Sequence, residues 1–369
     1  MKNTTRETQR TFFVKQLLQW QKTIVRPMPW KGEKNPYLIW LSEIILQQTR
    51  VEQGLPYFLR FKEKYPAITD LANAPEDEVM RLWQGLGYYS RARNLHTTAK
   101  MVRDIYGGIF PSEYNEVLAL KGVGEYTAAA IVSFAYELPY PVVDGNVYRV
   151  LSRFFGIETP IDSPKAKKEF TILAQALIQY AEKPSVYNQT IMDFGALQCK
   201  TASPDCNSCV LKNKCFAFKN KLVEALPKKE KKIKVKERFF HYLIIKAGKN
   251  IVLRKRPAGD IWHNLYDFPL IENACPLSEN ELLQHESLKS FLGKLKPKSI
   301  AFQTSATQKL THQKINALFF EVRLSPKETN SFQPEKNLIL TDEKKLNNFA
   351  FPKIIDWYIQ NKQLNLTLQ

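Results

Sequence analysis

Across residues 8–217, apolar positions recur at intervals of three and four, interrupted by turns that contain proline and glycine, which predicts a succession of amphipathic helices. Beyond Leu226-Pro227 the texture changes. Residues 239–245, 251–253 and 317–324 are short aromatic and aliphatic runs bounded by turn formers, and they predict strands. The chain therefore divides into an all-α domain over residues 1–221, a connector over residues 222–236 and an α+β domain over residues 237–369. The connector carries the run Lys228-Lys229-Glu230-Lys231-Lys232-Ile233-Lys234-Val235-Lys236. Such a block suits a solvated tether or a contact with a polyanion, and solvation is the commoner use.

Three segments of the helical half carry candidate chemistry. Asn35-Pro36 opens a helix well, with asparagine as cap and proline at the first helical position. The residues from Tyr37 to Gln48 are apolar almost all round, which predicts a buried helix, and Glu43 is the anomaly within it. A carboxyl group among Ile39, Ile44 and Leu46 has its pKa raised by desolvation and keeps a proton near neutral pH, as a general acid must. A glutamate merely satisfied by hydrogen bonds would give the same pattern.

The second segment, residues 112–136, reads as two helices joined at Gly122-Val123-Gly124. Amides at the start of the second helix, helped by its dipole, can grip a phosphate, although an ordinary helical hairpin needs similar residues. In the third segment, Asp144-Gly145-Asn146 precedes an amphipathic helix, where Asp144 suits an N-cap. It also suits a second, ionised carboxylate paired with Glu43, the division of labour that cleaves glycosidic bonds. The two roles are compatible.

Length and charge narrow the class. A chain of 369 residues suggests two domains, and no apolar run approaches the ~18 residues that span a bilayer. The polar opening MKNTTRETQR resembles no targeting signal, so a reducing cytoplasm and no membrane are expected. Lysine and arginine number 54 against 36 acids, a formal charge of +18. That excess favours a nucleic acid, whose neutralised phosphates release counterions, over solvated surface charge alone.

Four of the five cysteines, Cys199, Cys206, Cys209 and Cys215, are spaced C-x6-C-x2-C-x5-C within residues 199–215. In a reducing setting this density means metal rather than disulfides. Zinc and an iron–sulfur cluster both take four thiolates. Only Cys206 and Cys209 form a short knuckle of the zinc kind, so the spacing favours the cluster. Cys275 reads as structural.

Taken in order, Pro29-Trp30, Ser42-Glu43, Leu46-Gln47-Gln48-Thr49, Gln84-Gly85-Leu86-Gly87-Tyr88-Tyr89, Arg91-Ala92-Arg93-Asn94, the glycine hairpin, Asp144-Gly145-Asn146 and the four cysteines resemble the helix-hairpin-helix DNA glycosylases with an iron–sulfur loop. Among these the resemblance is to the MutY family of adenine glycosylases. It implies an all-α glycosylase domain followed by a Nudix-like domain, a [4Fe-4S] cluster on the four cysteines, and excision of adenine mispaired with 8-oxoguanine or guanine in duplex DNA. It further implies a monomer at work on the nucleoid of a bacterium.

Glu43 would protonate the purine at nitrogen 7 and later help to activate water, while Asp144, supported by Asn146 and the Tyr126 hydroxyl, would stabilise the sugar cation. Tyr126 stands where strand-cutting relatives carry a Schiff-base lysine, which implies a monofunctional enzyme. Gln48, Thr49, Leu86 and Tyr88 would fill and wedge the opened duplex, with Gly122, Val123 and Gly124 on its backbone. Trp30, Leu46 and Val51 would wall the base pocket and Gln189 would lie at its polar edge; without the resemblance these read as core. In the C-terminal half, Arg256-Pro257, Gly259, Ile261-Trp262 and Leu265-Tyr266-Asp267-Phe268-Pro269 match a Nudix-like recognition domain lacking the glutamate-rich magnesium box. Thr311 and His312, in Leu310-Thr311-His312 where relatives have Phe-Ser-His, would read the oxidised guanine. An endonuclease-III-like enzyme for oxidised pyrimidines predicts lysine at 126 and no long C-terminal domain. A redox-sensing DNA binder gives no reason for the two carboxylates.

Overall fold

The computed structural model describes residues 2–230, 235–325, 327–328 and 338–367. Lys231, Lys232, Ile233 and Lys234, the centre of the cationic connector, lie outside the described residues. In chain order the helices are α1 (Lys2–Gln21), α2 (Pro36–Leu46), α3 (Val51–Lys64), α4 (Ile68–Asn73), α5 (Glu76–Leu82), α6 (Ser90–Ile105), α7 (Tyr114–Ala119), α8 (Glu125–Tyr136), α9 (Gly145–Phe155), α10 (Pro164–Ile178), α11 (Pro184–Leu197) and α12 (Phe216–Lys219). Strands β1 (Lys236–Ala247), β2 (Asn250–Lys255), β3 (Tyr266–Asp267) and β4 (Leu270–Asn273) follow, then α13 (Glu279–Gln284), α14 (Glu286–Leu292), β5 (Ser299–Lys309), β6 (Gln313–Arg323), β7 (Leu338–Asp342) and α15 (Lys353–Thr367). No helix among the described residues is long and apolar enough to cross a membrane.

Two compact units result, one from Met1–Asn73 with Thr97–Lys232 and the other from Ala74–His96 with Ile233–Gln369. In the first, the apolar stripes of α1, α9, α10 and α11 meet in a core built on Phe13, Leu17, Val150, Phe154, Phe170 and Phe194. Side chains of this size each contribute about 1.5–3 kcal/mol when removed from water. Helix α2 packs on α8, and α11 packs on both α8 and α9. Those contacts bring the ends of three functional segments together.

The segment from Ala74 to His96 departs from the expected boundary, since it groups with the C-terminal half. Its contacts there include several polar pairs. Asn264 donates to Glu76 at 2.7 Å, the Arg93 guanidinium donates to the His263 carbonyl at 2.7 Å, and Gln84 donates to Asp356 at 2.8 Å. Hydrophobic periodicity carries no signal for such pairing, so the sequence assigned these helices to their neighbours in the chain.

The connector departs too. Leu226 is only 1% exposed, and its carbonyl accepts from Arg153 Nε at 3.0 Å. Ile161 N–H donates to the Lys228 carbonyl at 3.0 Å, and Glu230 N–H donates to Asp162 at 3.0 Å. Residues 226–230 are thus a strap held on the helical unit and not a free tether.

In the second unit a seven-stranded mixed sheet has the order β3-β2-β1-β6-β5, with β4 pairing β1 and β7 pairing β2. Strands β1 and β6 run parallel in a register that sets Leu243 beside Phe320 and Ile245 beside Val322. The other described pairings are antiparallel. One face buries Leu243, Ile245, Val252, Phe320 and Val322 together with Leu282 and Leu288 from α13 and α14. The predicted strands at 239–245, 251–253 and 317–324 fall inside β1, β2 and β6, except that β6 ends at Arg323.

Candidate active site

The Asn35 side chain accepts from Tyr37 N–H, and Pro36 takes the first helical position, so α2 begins where the sequence predicts. The helix stops at Leu46, two residues early, because Gln48 turns into the left-handed region at φ +56°. Glu43 is thereby presented to a cavity of about 950 Å³ in the helical unit. Trp30, Leu46, Gln48, Thr49, Val51, Tyr126, Asp144, Asn146 and Gln189 line it as well. The residues assigned to chemistry and to the base pocket are therefore gathered from α2, α8, α9, α11 and their flanking loops.

Burial pushes the Glu43 carboxyl up to about 7, and the nearby charge of Asp144 acts in the same direction. A hydrogen bond with the Tyr126 hydroxyl opposes them. The Tyr126 hydroxyl thus stands in the field of both carboxylates, Glu43 and Asp144. Burial also raises the Tyr126 phenol well above its ordinary value, so it keeps its proton. Its hydroxyl lies 3.8 Å from Met192 Sδ.

Asp144 caps α9. One carboxylate oxygen accepts from Val147 N–H at 2.8 Å and the other from Asn146 Nδ2 at 2.8 Å. Burial raises its pKa, opposed by these hydrogen bonds and by the charge of Arg149. One site thus holds an acid that titrates near neutrality beside a carboxylate held by donors. It can hand a proton to a leaving group while facing positive charge with an anion.

Arg149, which the sequence pattern does not single out, links this site to the cysteine loop. Its guanidinium donates to Asn146 Oδ1 at 2.8 Å, to the Gly195 carbonyl at 2.7 Å and to the Cys199 carbonyl at 2.8 Å. Gly195 makes the approach possible, because a Cβ there would stand 2.6 Å from Asn146 Cβ.

The four cysteines border a small cavity with Phe154, Phe194 and Leu211, and none is in a disulfide. Burial raises the thiols of Cys206, Cys209 and Cys215, that of Cys209 to about 12. Deprotonating thiols so placed takes a strong local positive charge, which a bound metal centre supplies. The donor set fits such a centre. Arg153 Nη1 donates to Cys199 Sγ at 3.4 Å. Among the described residues, no three His, Cys, Asp or Glu side chains converge as a single ion requires.

The hairpin expected at residues 112–136 is formed by α7 and α8. Gly122 takes φ +77°, which a side chain would strain, and Gly124 is the N-cap of α8 in an extended conformation. Val123 between them is largely buried.

The remaining predicted contacts lie in the second unit. Thr311 and His312 are exposed in the turn between β5 and β6, which is closed by Leu310 N–H donating to the Gln313 carbonyl at 2.7 Å. Tyr88 is 49% exposed at φ +48°, and its hydroxyl lies 2.7 Å from Thr311 Oγ1. The Arg91 guanidinium lies over the rings of both Tyr88 and Trp83. Leu86 is the exception. At 4% exposure it is part of the unit's interior and does not project as a wedge.

Comparison with known proteins agrees with this geometry. Residues 41–175 match the family model of the HhH-GPD superfamily base excision DNA repair proteins, and residues 241–361 match that of the NUDIX domain. The adenine DNA glycosylase of Buchnera aphidicola subsp. Baizongia pistaciae is 40% identical over 261 residues, covering 70% of this chain and 73% of that protein. The human adenine DNA glycosylase is 38% identical over 216 residues, covering 56% of this chain and 39% of its own. Among solved structures, a thermostable thymine-DNA glycosylase is similar over 58% of this chain and 99% of that one, with a TM-score of 0.55 and 30% identity.

Proposed function

The chain belongs to the adenine DNA glycosylase family, and from that membership we propose that it hydrolyses the N-glycosidic bond of adenine opposite 8-oxoguanine or guanine in duplex DNA without cutting the strand. The observation that carries the reading is the coupled pair, Glu43 titrating at about 7 beside Asp144 in a cavity walled by Trp30, Leu46 and Val51. Adenine leaves its sugar readily only once its ring is protonated, and a carboxyl of this pKa is half protonated at neutral pH. The cation left on the sugar is stabilised by the Asp144 carboxylate, which Asn146 and Val147 N–H hold in place. Adenine must first leave the duplex, which costs least at a mismatch.

Monofunctional chemistry is supported by the nitrogen nucleophiles at the cavity. Residue 126 is tyrosine and retains its proton, and the two cavity lysines are ion-paired, Lys31 with Asp193 and Lys34 with Glu137. The cysteine loop would hold a [4Fe-4S] cluster on Cys199, Cys206, Cys209 and Cys215. Four thiols set around one cavity support it, and their spacing favours it over zinc. Bound there, the cluster would tie Cys199, Cys206, Cys209 and Cys215 into one ordered loop.

The test compares duplexes carrying adenine opposite 8-oxoguanine, adenine opposite guanine and thymine glycol, each with and without alkali. Strand scission on the first two that requires alkali is the expected outcome. Scission without alkali, or activity on thymine glycol alone, would turn the assignment toward a lyase.

Opposite the base that is removed, Thr311 would read the oxidised guanine, with Tyr88 braced against its hydroxyl. Thr311→Ala removes one hydrogen-bonding hydroxyl, typically worth about 0.5–1.5 kcal/mol. It should lower the preference for 8-oxoguanine over guanine by about two- to twelvefold. Unchanged discrimination would remove this turn from recognition.

A further inference from the structure

The cavity's outer wall is the segment between α1 and α2, and it has little structure of its own. Its internal backbone hydrogen bonds include Lys31 N–H to the Met28 carbonyl at 3.0 Å and Glu33 N–H to the Trp30 carbonyl at 3.2 Å. Arg26, Met28, Trp30 and Lys31 nevertheless all line the cavity. Behind them, on α11, Asp193 is 0% exposed and does not line the cavity itself. Its two carboxylate oxygens are divided between the wall's cations. Oδ1 accepts from Arg26 Nη1 at 2.7 Å, and Oδ2 accepts from Lys31 Nζ at 3.1 Å.

We propose that Asp193 is a positioning residue that clamps the segment from Arg26 to Lys31 as the wall of the base cavity and so sets how tightly an extruded adenine is seated. The inference rests on the glycosylase reading of this cavity. A desolvated carboxylate attracts its partners more strongly than a surface one. With both oxygens engaged, it fixes the segment at two points five residues apart. Trp30, between those points, is thereby held edge-on to Phe58 at 5.3 Å. The neighbours of Asp193 on the same helix, Gln189 and Met192, face the cavity directly. Helix α11 therefore shapes the pocket twice, once by lining it and once by anchoring the loop that covers it.

The test uses the full chain and two duplexes that bind without turnover. One carries 2′-fluoro-deoxyadenosine opposite 8-oxoguanine, whose sugar resists cation formation, and the other a tetrahydrofuran abasic analogue at the same place. Asp193→Asn should weaken binding of the first by about tenfold, as expected for lost preorganisation, while the second, which has no base to seat, stays within about twofold. Lys31→Met, which leaves Asp193 paired with Arg26, reaches the same clamp from its partly exposed side. It should shift the same duplex in the same direction, and adding Asp193→Asn to it should cost less than Asp193→Asn alone. Equal losses on both duplexes, no loss on either, or fully additive effects would overturn the clamp. If thermal unfolding shows Asp193→Asn misfolded, the Lys31→Met comparison decides alone. Failure of the unaltered protein to release adenine from any duplex would instead count against the glycosylase reading.

Discussion

Glu43→Gln is expected to lower adenine release by on the order of 10²–10⁴-fold at neutral pH, the usual contribution of a positioned general acid. Affinity for the mismatched duplex should be retained. Glutamine keeps the shape and can still bond to the Tyr126 hydroxyl, but it has no proton to surrender. The pH profile of the native protein supplies the companion result. A group that must be protonated and titrates at about 7 gives activity that declines as pH rises through that value.

The same residue makes an opposite prediction for stability. The folded pKa of Glu43 lies above its ordinary 4.5, so below about 4.5 both folded and unfolded forms hold the proton and nothing is lost. Between 4.5 and 7 the unfolded chain ionises first, and above 7 the folded protein bears the whole cost. Glu43→Gln removes that cost, so at pH 8 the variant should be more stable than the native chain by on the order of 3 kcal/mol. Urea unfolding at pH 4 and pH 8 checks it. Joint loss of stability and DNA affinity would move Glu43 to a structural role.

The residues legible from sequence were those whose chemistry contradicts their surroundings or whose backbone demands are unusual. Glu43 stands out as an acid in an apolar helix, Asp144 as a cap ahead of an amphipathic stripe, and the cysteines by density alone. Each of these signals is local. Asp193 carries the same kind of signal, an acid in the largely buried stretch from Tyr187 to Phe194. What makes it intelligible is a pair of cations some 160 residues away, at Arg26 and Lys31. Arg149 is hidden for a different reason: an arginine on an amphipathic helix reads as a solvated face until the loop that covers it is known.

The strand texture of the C-terminal half located β1, β2 and β6. It could not reveal that residues 74–96 join that half, because polar pairs such as Asn264 with Glu76 leave no periodic trace. Leu86 and Tyr88 are two residues apart, and one is interior while the other is exposed. Gly87 between them, at φ +77°, turns the chain too sharply for pattern reading to follow.

Asp144→Asn tests the other half of the catalytic pair, and its effects separate by cause. The asparagine oxygen can still accept from Val147 N–H, and asparagine caps helices about as well as aspartate, so α9 should keep its start. The second oxygen is replaced by an N–H₂ facing the Asn146 amide donor. To relieve that clash Asn146 must turn over, which takes its oxygen away from Arg149. A loss of about 1 kcal/mol in stability is expected from that hydrogen bond. Excision should fall further, by about 10²–10³-fold, because the anion facing the sugar cation is gone.

A third effect falls on Glu43. The charge of Asp144 is one of the causes that raise its pKa, so the alkaline limb of the activity profile should move to lower pH in the variant. A single-turnover profile over pH 5–9 measures both the depth and the position of that limb. A deep loss with an unmoved limb would mean that the two carboxylates do not share a field. Equal loss of excision and of mismatch affinity would mean that Asp144 is a cap and nothing more.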